Sequence, residues 1–293
     1  MKKVVSVALF GDSEHYRQFV RGFVRAHANL FRADEGWELR VHVDGLVDGS
    51  PCGKFLRALE AAGLLTVRLM QSRPLTAAML WRLAPVFEEG AGYVFCRDVD
   101  SCPTPRDRAV CDQFMRSERV VHTIHDSISH IGVMGGLCGF LAPEFVQATG
   151  LRSLDDVYAF VALTDAVWAR HGTDQHVLNW ILVQSPHLTL LEHRHAGWGA
   201  GRPGVHPPRS AGRYPCAAWS VPVPDIGISH LAPEDAAEAD RLGQHLGSAG
   251  FDVPAVAAFW DEHGDPEVTC VVAECERDTR AESLIATVSS VSR

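Results

Sequence analysis

The sequence predicts an α/β fold, a sheet flanked by helices, and three observations predict it. Apolar runs of strand length alternate with stretches of helical periodicity from Val4 to Met70. The 293 residues are 46% hydrophobic and 22% charged, ordinary for a globular chain that buries a core. A later apolar run, GYVFC (Gly92–Cys96), ends abruptly in Arg97 and the pair Asp98-Val99-Asp100, at the place where strands of such sheets meet a ligand.

VVSVALFG (Val4–Gly11) is β-branched and ends in glycine, which reads as a buried strand. Glu14–Phe31 places Phe19, Phe23, Val24, Ala26 and Leu30 close to helical spacing, with Ser13 before it as an N-cap. WELRVHVDG (Trp37–Gly45) alternates and reads as a second strand; residues 54–62 read as a short helix and LLTVRLM (Leu64–Met70) as a third strand. The order β-α-β-α-β is that of a nucleotide-binding layer with a parallel sheet. Thr76–Gly90 is helical in pattern, disturbed at Pro85, and leads into the strand before Asp98. Pro103–Ser117 enters a helix through proline, and RVVHTIHD (Arg119–Asp126) reads as a strand. IGVMGGLCGFL (Ile131–Leu141) mixes apolar residues with four glycines and is left without an element. Helices are predicted over Ser153–Gly172, capped by Ser153, and from Thr173 to Gln184, followed by a strand over Leu188–His193.

Residues 194–224 are rich in Gly and Pro and read as a long loop. Beyond them come two helices, Pro233–Gly247 and Val253–Glu262, a strand over Val268–Glu274 and a loosely attached tail from Arg277. The organisation expected is a catalytic domain over residues 1–232 and a C-terminal helical extension and tail over 233–293.

The net charge of −9 argues against nucleic acid as the partner. Lysine occurs only at positions 2, 3 and 54, so arginine supplies nearly all the positive charge; it reads either as a phosphate clamp or as compositional bias. The eight cysteines include no CxxC pair and no zinc spacing. The apolar run after Lys2-Lys3 is too short for a signal peptide, and no run reaches membrane-span length. The expectation is a cytoplasmic protein with reduced thiols.

A D-x-D pair by itself is usually an exposed turn. At the mouth of a core strand it costs desolvation unless it has a partner, and a divalent cation is a natural one. Mg²⁺ and Mn²⁺ take one or two carboxylates together with phosphate oxygens, so Mn²⁺ or Mg²⁺ on Asp98 and Asp100 suits a nucleoside diphosphate.

The ordered set of motifs around this pair resembles glycosyltransferases of the GT-A fold. It is similar to a bacterial and viral branch carrying Trp81-Arg82, Arg97-Asp98-Val99-Asp100-Ser101, Arg106 through Val110, His122 through Asp126, and Gly135-Gly136-Leu137-Cys138-Gly139. Thr173-Asp174-Gln175-His176-Val177-Leu178-Asn179 resembles the D-Q-x-x-L-N motif of retaining galactosyltransferase-like and glycogenin-like enzymes. The likeness covers residues 4–185 and extends toward His230. The chain departs from the pattern at Cys102, at Leu137-Cys138, and at Leu231-Ala232-Pro233, where a K-P-W ending is absent.

The resemblance implies a single Rossmann-like mixed sheet and transfer of a sugar, UDP-sugar favoured, from a nucleotide donor to an unknown acceptor. It implies Asp98, Asp100 and His230 as metal ligands, with Asp98 alternatively reaching the donor ribose. Phe10, Gly11 and Asp12 fall near the base or ribose, although Asp12 reads equally as a cap. Arg82 and Arg97 meet donor phosphate or pair with the aspartates. Gly135 and Gly136 admit the donor sugar close to the backbone, or simply make a tight turn. Asp126 and His130 face the sugar; on a strand His125 points away from the face shared by His122 and Asp126. Asp174 meets sugar hydroxyls, or caps its helix, and Gln175 lies beside the anomeric carbon. Retention is favoured, with the departing phosphate taking the acceptor proton; inversion would require Asp126 or Asp174 as general base. Rival readings are a metal-dependent nucleotidyltransferase and a non-catalytic nucleotide-binding member of the fold. The first wants a glycine-rich basic loop after the first strand, and FGDSEHYRQF has one glycine and no such loop. A haloacid-dehalogenase phosphatase wants threonine where Cys102 stands. Oligomeric state is not legible.

Overall fold

The computed structural model describes residues 1–17, 19–73, 75–100, 103, 105–125, 132–161, 172–194 and 217–222. The elements expected beyond residue 222 and the boundary at 232/233 lie outside them. The fold is the mixed α/β one predicted, strands covered by helices. The chain divides into two units. One comprises Met1–Ala8, Ser72–Asp98 and Val110–Asp225; the other comprises Leu9–Gln71, Val99–Ala109 and Ile226–Arg293.

In the first unit the strands are β1 (Lys2–Leu9, whose last residue belongs to the other unit), β4 (Ala91–Arg97), β5 (Val121–His125), β6 (Leu137–Leu141), β7 (Thr189–Arg194) and β8 (Ala217–Pro222). They lie in the order β1-β4-β6-β5-β7-β8. β1 with β4, β5 with β7 and β7 with β8 are parallel, whereas β6 runs antiparallel to both β4 and β5. The interior strands are nearly continuous apolar runs because both faces are covered. Val4, Val94, Cys96, Val121, Phe140, Val177 and Leu190 belong to one buried cluster.

β6 falls where four glycines left no element to read. Gly139 explains one of them: a Cβ there would stand 2.6 Å from the His122 ring and 2.8 Å from the Phe95 ring. The His122 ring meets Phe95 edge to face, at 5.6 Å and 77°, and stacks on Phe114 at 4.6 Å and 17°. Glycine normally weakens a strand; here it makes room for a neighbour. β8 is a second addition, a strand inside the stretch read as a loop.

The helical pattern before β4 resolves into α5 (Leu75–Ala78) and a 3₁₀ helix (Met79–Phe87). Pro85 removes an N–H that an α-helix would use, and the turn around it tightens. This 3₁₀ helix and α7 (Ala142–Thr149) pack on β4. α6 (Pro105–Arg116) and α9 (Thr173–Gln184) form as read. α8 (Leu154–Val161) starts where Ser153 Oγ accepts the Asp156 N–H at 3.1 Å. The rest of the helix expected there lies outside the described residues.

The second unit contains the parallel pair β2 (Trp37–Val43) and β3 (Thr66–Leu69), with α1 (Glu14–Arg17), α2 (Val20–Leu30), α3 (Gly45–Asp48) and α4 (Pro51–Ala61). The single helix expected over Glu14–Phe31 is therefore broken between α1 and α2. α4 begins with Pro51, and Ser50 Oγ accepts the Gly53 N–H at 3.2 Å, so proline and cap set its start together. Among the described residues no helix is long and apolar enough to cross a membrane. Cys52, Cys96, Cys111 and Cys138 are buried and outside any disulfide.

Candidate active site

β4 carries Asp98 to its C-terminal end. The 3₁₀ helix before it presents Arg82, and the first turn of α9 presents Asp174. The Arg82 guanidinium joins them: Nη1 donates to Asp98 Oδ1, and Nη2 donates to Asp174 Oδ2 at 2.7 Å. The Arg82 and Asp174 side chains are 4% and 2% exposed, whereas the Asp98 side chain is 42% exposed. Burial alone works against the charge on Arg82, but Asp98 and Asp174 beside it raise its pKa above the usual arginine value. Asp174 Oδ1 is also buried and has no hydrogen-bond partner among the described residues. A buried carboxylate oxygen left unpaired is costly, and a ligand hydroxyl would satisfy it.

Gly135 and Gly136 complete this arrangement. A Cβ on Gly135 would run into Asp174 Oδ2, and one on Gly136 into the Asp98 carboxylate. The two glycines therefore let the backbone lie directly on the two acids. Asp174 does not cap α9: Gly172 holds the N-cap position with a φ of 81°, and Asp174 in the first turn points to Arg82 instead.

Other expected residues fall differently. Arg97 is buried, and its Nη1 donates to the carbonyls of Cys96 at 2.8 Å and Cys138 at 2.9 Å. Its Nη2 lies 3.4 Å from Cys111 Sγ. A phosphate contact needs an accessible guanidinium, and this one is enclosed by the sheet it braces. Asp100 is half-buried. In the second unit, Gly11 takes a φ of +79° that favours glycine; its N–H donates to Asp44 Oδ2 at 2.8 Å and its carbonyl accepts from Arg17 at 2.8 Å. Phe10 is half-buried and Asp12 exposed. Asp126, His130 and His230 lie outside the described residues.

The sequence reading missed Asp44, whose Oδ1 also caps α3 by accepting the Val47 N–H at 2.9 Å. The signal was an aspartate directly after a strand and before glycine. It also missed Glu192. Glu192 Oε1 lies 2.7 Å from His125 Nδ1, with both side chains 0% exposed. Next to this pair, His122 Nδ1 stands 3.5 Å from His193 Nδ1. Burial, then His193 and Arg97, push the His122 pKa well below the ordinary histidine value, so it is a neutral core residue.

Among the described residues no group of three or more His, Cys, Asp or Glu is placed to hold a metal ion. Asp98 offers a hard carboxylate oxygen of the kind Mn²⁺ or Mg²⁺ takes, its other oxygen being already on Arg82.

No protein-family profile matches the chain, and no curated protein matches it in sequence. Among solved structures it is similar to the mannosyltransferase PcManGT from Pyrobaculum calidifontis in complex with GDP-Man and Mn²⁺. That match has a TM-score of 0.43 and 14% identity, over 99% of this chain and 80% of the other. A crystal structure of S. aureus TarS 1–349 matches with a TM-score of 0.39 and 11% identity, over 100% of this chain and 88% of the other.

Proposed function

We propose that the chain is a cation-dependent glycosyltransferase moving a sugar from a nucleoside-diphosphate donor, a UDP-sugar by preference, to an acceptor with retention. The observation that supports it most is the buried Arg82 bridging Asp98 and Asp174 beneath two glycines, with Asp174 Oδ1 left open. In this reading Asp174 Oδ1 accepts a donor-sugar hydroxyl. Gln175, its neighbour in the first turn of α9, stands beside the anomeric carbon and stabilises developing positive charge. Gly135 and Gly136 admit the sugar against the backbone, and Asp126 and His130 contact it. Phe10, Gly11 and Asp12 receive the nucleoside. Asp100, with Asp98 and His230, would hold Mn²⁺ or Mg²⁺. When bound, the ion supplies charge neutralisation at the departing diphosphate. Arg82 holds the two acids in place and is itself withdrawn from the donor. The departing phosphate takes the acceptor proton, so no carboxylate is required as base.

The test is calorimetric titration of UDP and of GDP, with Mn²⁺ and with EDTA, into wild type and Asp100→Ala. Metal-dependent binding of one nucleotide, lost in the variant, is the expected result and fixes the donor class. Absence of binding to wild type in every condition sinks the reading. Proton NMR of the sugar product then reads its anomeric configuration.

A further inference from the structure

Asn179, in the middle of α9, has a role that neither the donor site nor the core accounts for. Its carboxamide grips the backbone of Val133 at two points: Oδ1 accepts the Val133 N–H at 3.1 Å, and Nδ2 donates to the Val133 carbonyl at 3.4 Å. Nδ2 also donates to the carbonyl of Gln175, one turn earlier in the same helix, at 2.7 Å. Both amide hydrogens and one oxygen lone pair are thus committed. Turning the carboxamide over would set its oxygen against two carbonyls, so the orientation is fixed. Gly132, with a φ of +70°, lies flat on this group; a Cβ there would stand 2.8 Å from Asn179 Cγ and Nδ2.

The flanking residues are held as firmly. His125 Nε2 lies 2.7 Å from the Gly132 carbonyl, and Thr123 Oγ1 accepts the Met134 N–H at 3.0 Å. The Met134 carbonyl accepts from the Leu137 N–H at 3.2 Å. Gly135 and Gly136, the residues that lie on Asp174 and Asp98, follow directly.

We infer that Asn179 is a positioning residue that fixes the distance between the start of α9, with Asp174 and Gln175, and the glycine segment opposite. It touches neither substrate nor reacting atoms. It acts by joining two backbones whose separation sets the width of the sugar site. Its effect on turnover, though not on structure, rests on the glycosyl-transfer reading.

Two measurements on the full chain separate these. The first is hydrogen exchange by mass spectrometry on wild type, Asn179→Asp and Asn179→Ala. Asn179→Asp keeps the shape but turns an oxygen toward the carbonyls of Val133 and Gln175; Asn179→Ala removes the grip without repulsion. Peptides over residues 132–137 and 173–178 should exchange about tenfold faster together, as loss of about one net hydrogen bond gives, while β1 and β4 peptides stay at wild-type rates. Unchanged exchange, a change confined to one of the two peptides, or uniform acceleration across the chain in both variants overturns the inference. The second is hydrolysis of UDP-sugars with Mn²⁺. Asn179→Asp should lower kcat about tenfold or more, as a small misplacement of bound groups does, with KM and the UDP affinity within about twofold. A fall in affinity with kcat unchanged overturns the role in turnover. A wild type that turns over no donor, alongside the expected exchange pattern, sinks the glycosyl-transfer reading and leaves the clamp standing.

Discussion

Two groups of charged and titratable side chains sit in the first unit, and their difference shows what separates a site from a scaffold. Arg82, Asp98 and Asp174 are paired, yet the Asp98 side chain is 42% exposed and a buried oxygen of Asp174 has no partner among the described residues. His125 and Glu192 are paired at 2.7 Å with both side chains 0% exposed. Both groups contain buried charge-capable residues, so burial and pairing alone distinguish nothing. What marks the first is that it opens to solvent, through Asp98, while the second is sealed.

The comparison breaks most sharply at Arg82. Arg82→Met should leave Asp174 as an uncompensated buried charge and cost about 3–5 kcal/mol, read as a lower denaturant midpoint, with nucleotide-sugar turnover lost. Gly136→Ala comes next. Its Cβ meets the Asp98 carboxylate, and overpacking of this kind costs about 1–3 kcal/mol; metal-dependent nucleotide binding should weaken while the sheet stays folded by circular dichroism.

Buried histidines of both units predict a pH response. Burial depresses His27 and His42 to about 3 and His122 well below its ordinary 6.5. The unfolded chain binds these protons more tightly than the folded one. Stability is therefore full above the ordinary histidine range and falls as pH drops below 6.5 toward about 3. Each histidine contributes a slope of about 1.4 kcal/mol per pH unit. Urea unfolding from pH 7 to pH 4 should show it, and His122→Asn should reduce the slope by one histidine's share. The smallest effect is expected at Glu192→Gln, which keeps the shape and costs about 1 kcal/mol. Nucleotide affinity should not change; a large loss of affinity would erase the distinction between the two groups.

Much of the fold was legible because periodicity is local. β1 through β4 follow runs whose apolar spacing is in the sequence itself. β6 was not, because its glycine, Gly139, is explained only by the His122 and Phe95 rings that approach from neighbouring strands. The site divides the same way. The Asp98-Val99-Asp100 pair and the Gly135-Gly136 pair are visible as motifs, and pairing of Arg82 with Asp98 was one of two readings. Asp174 joining that pair was not visible, since Arg82 and Asp174 are 92 residues apart and an aspartate at a helix start reads as a cap. Arg97 shows the converse: its place beside the acids in sequence says nothing of its side chain turning into the sheet.

β6 has one more consequence. As the antiparallel strand between β4 and β5, it begins at the same sheet edge at which both of them end. The chain therefore enters β6 at the end of the sheet where it leaves β5. Gly135 and Gly136, which lead into β6, are thereby delivered to the end of the sheet at which β4 presents Asp98.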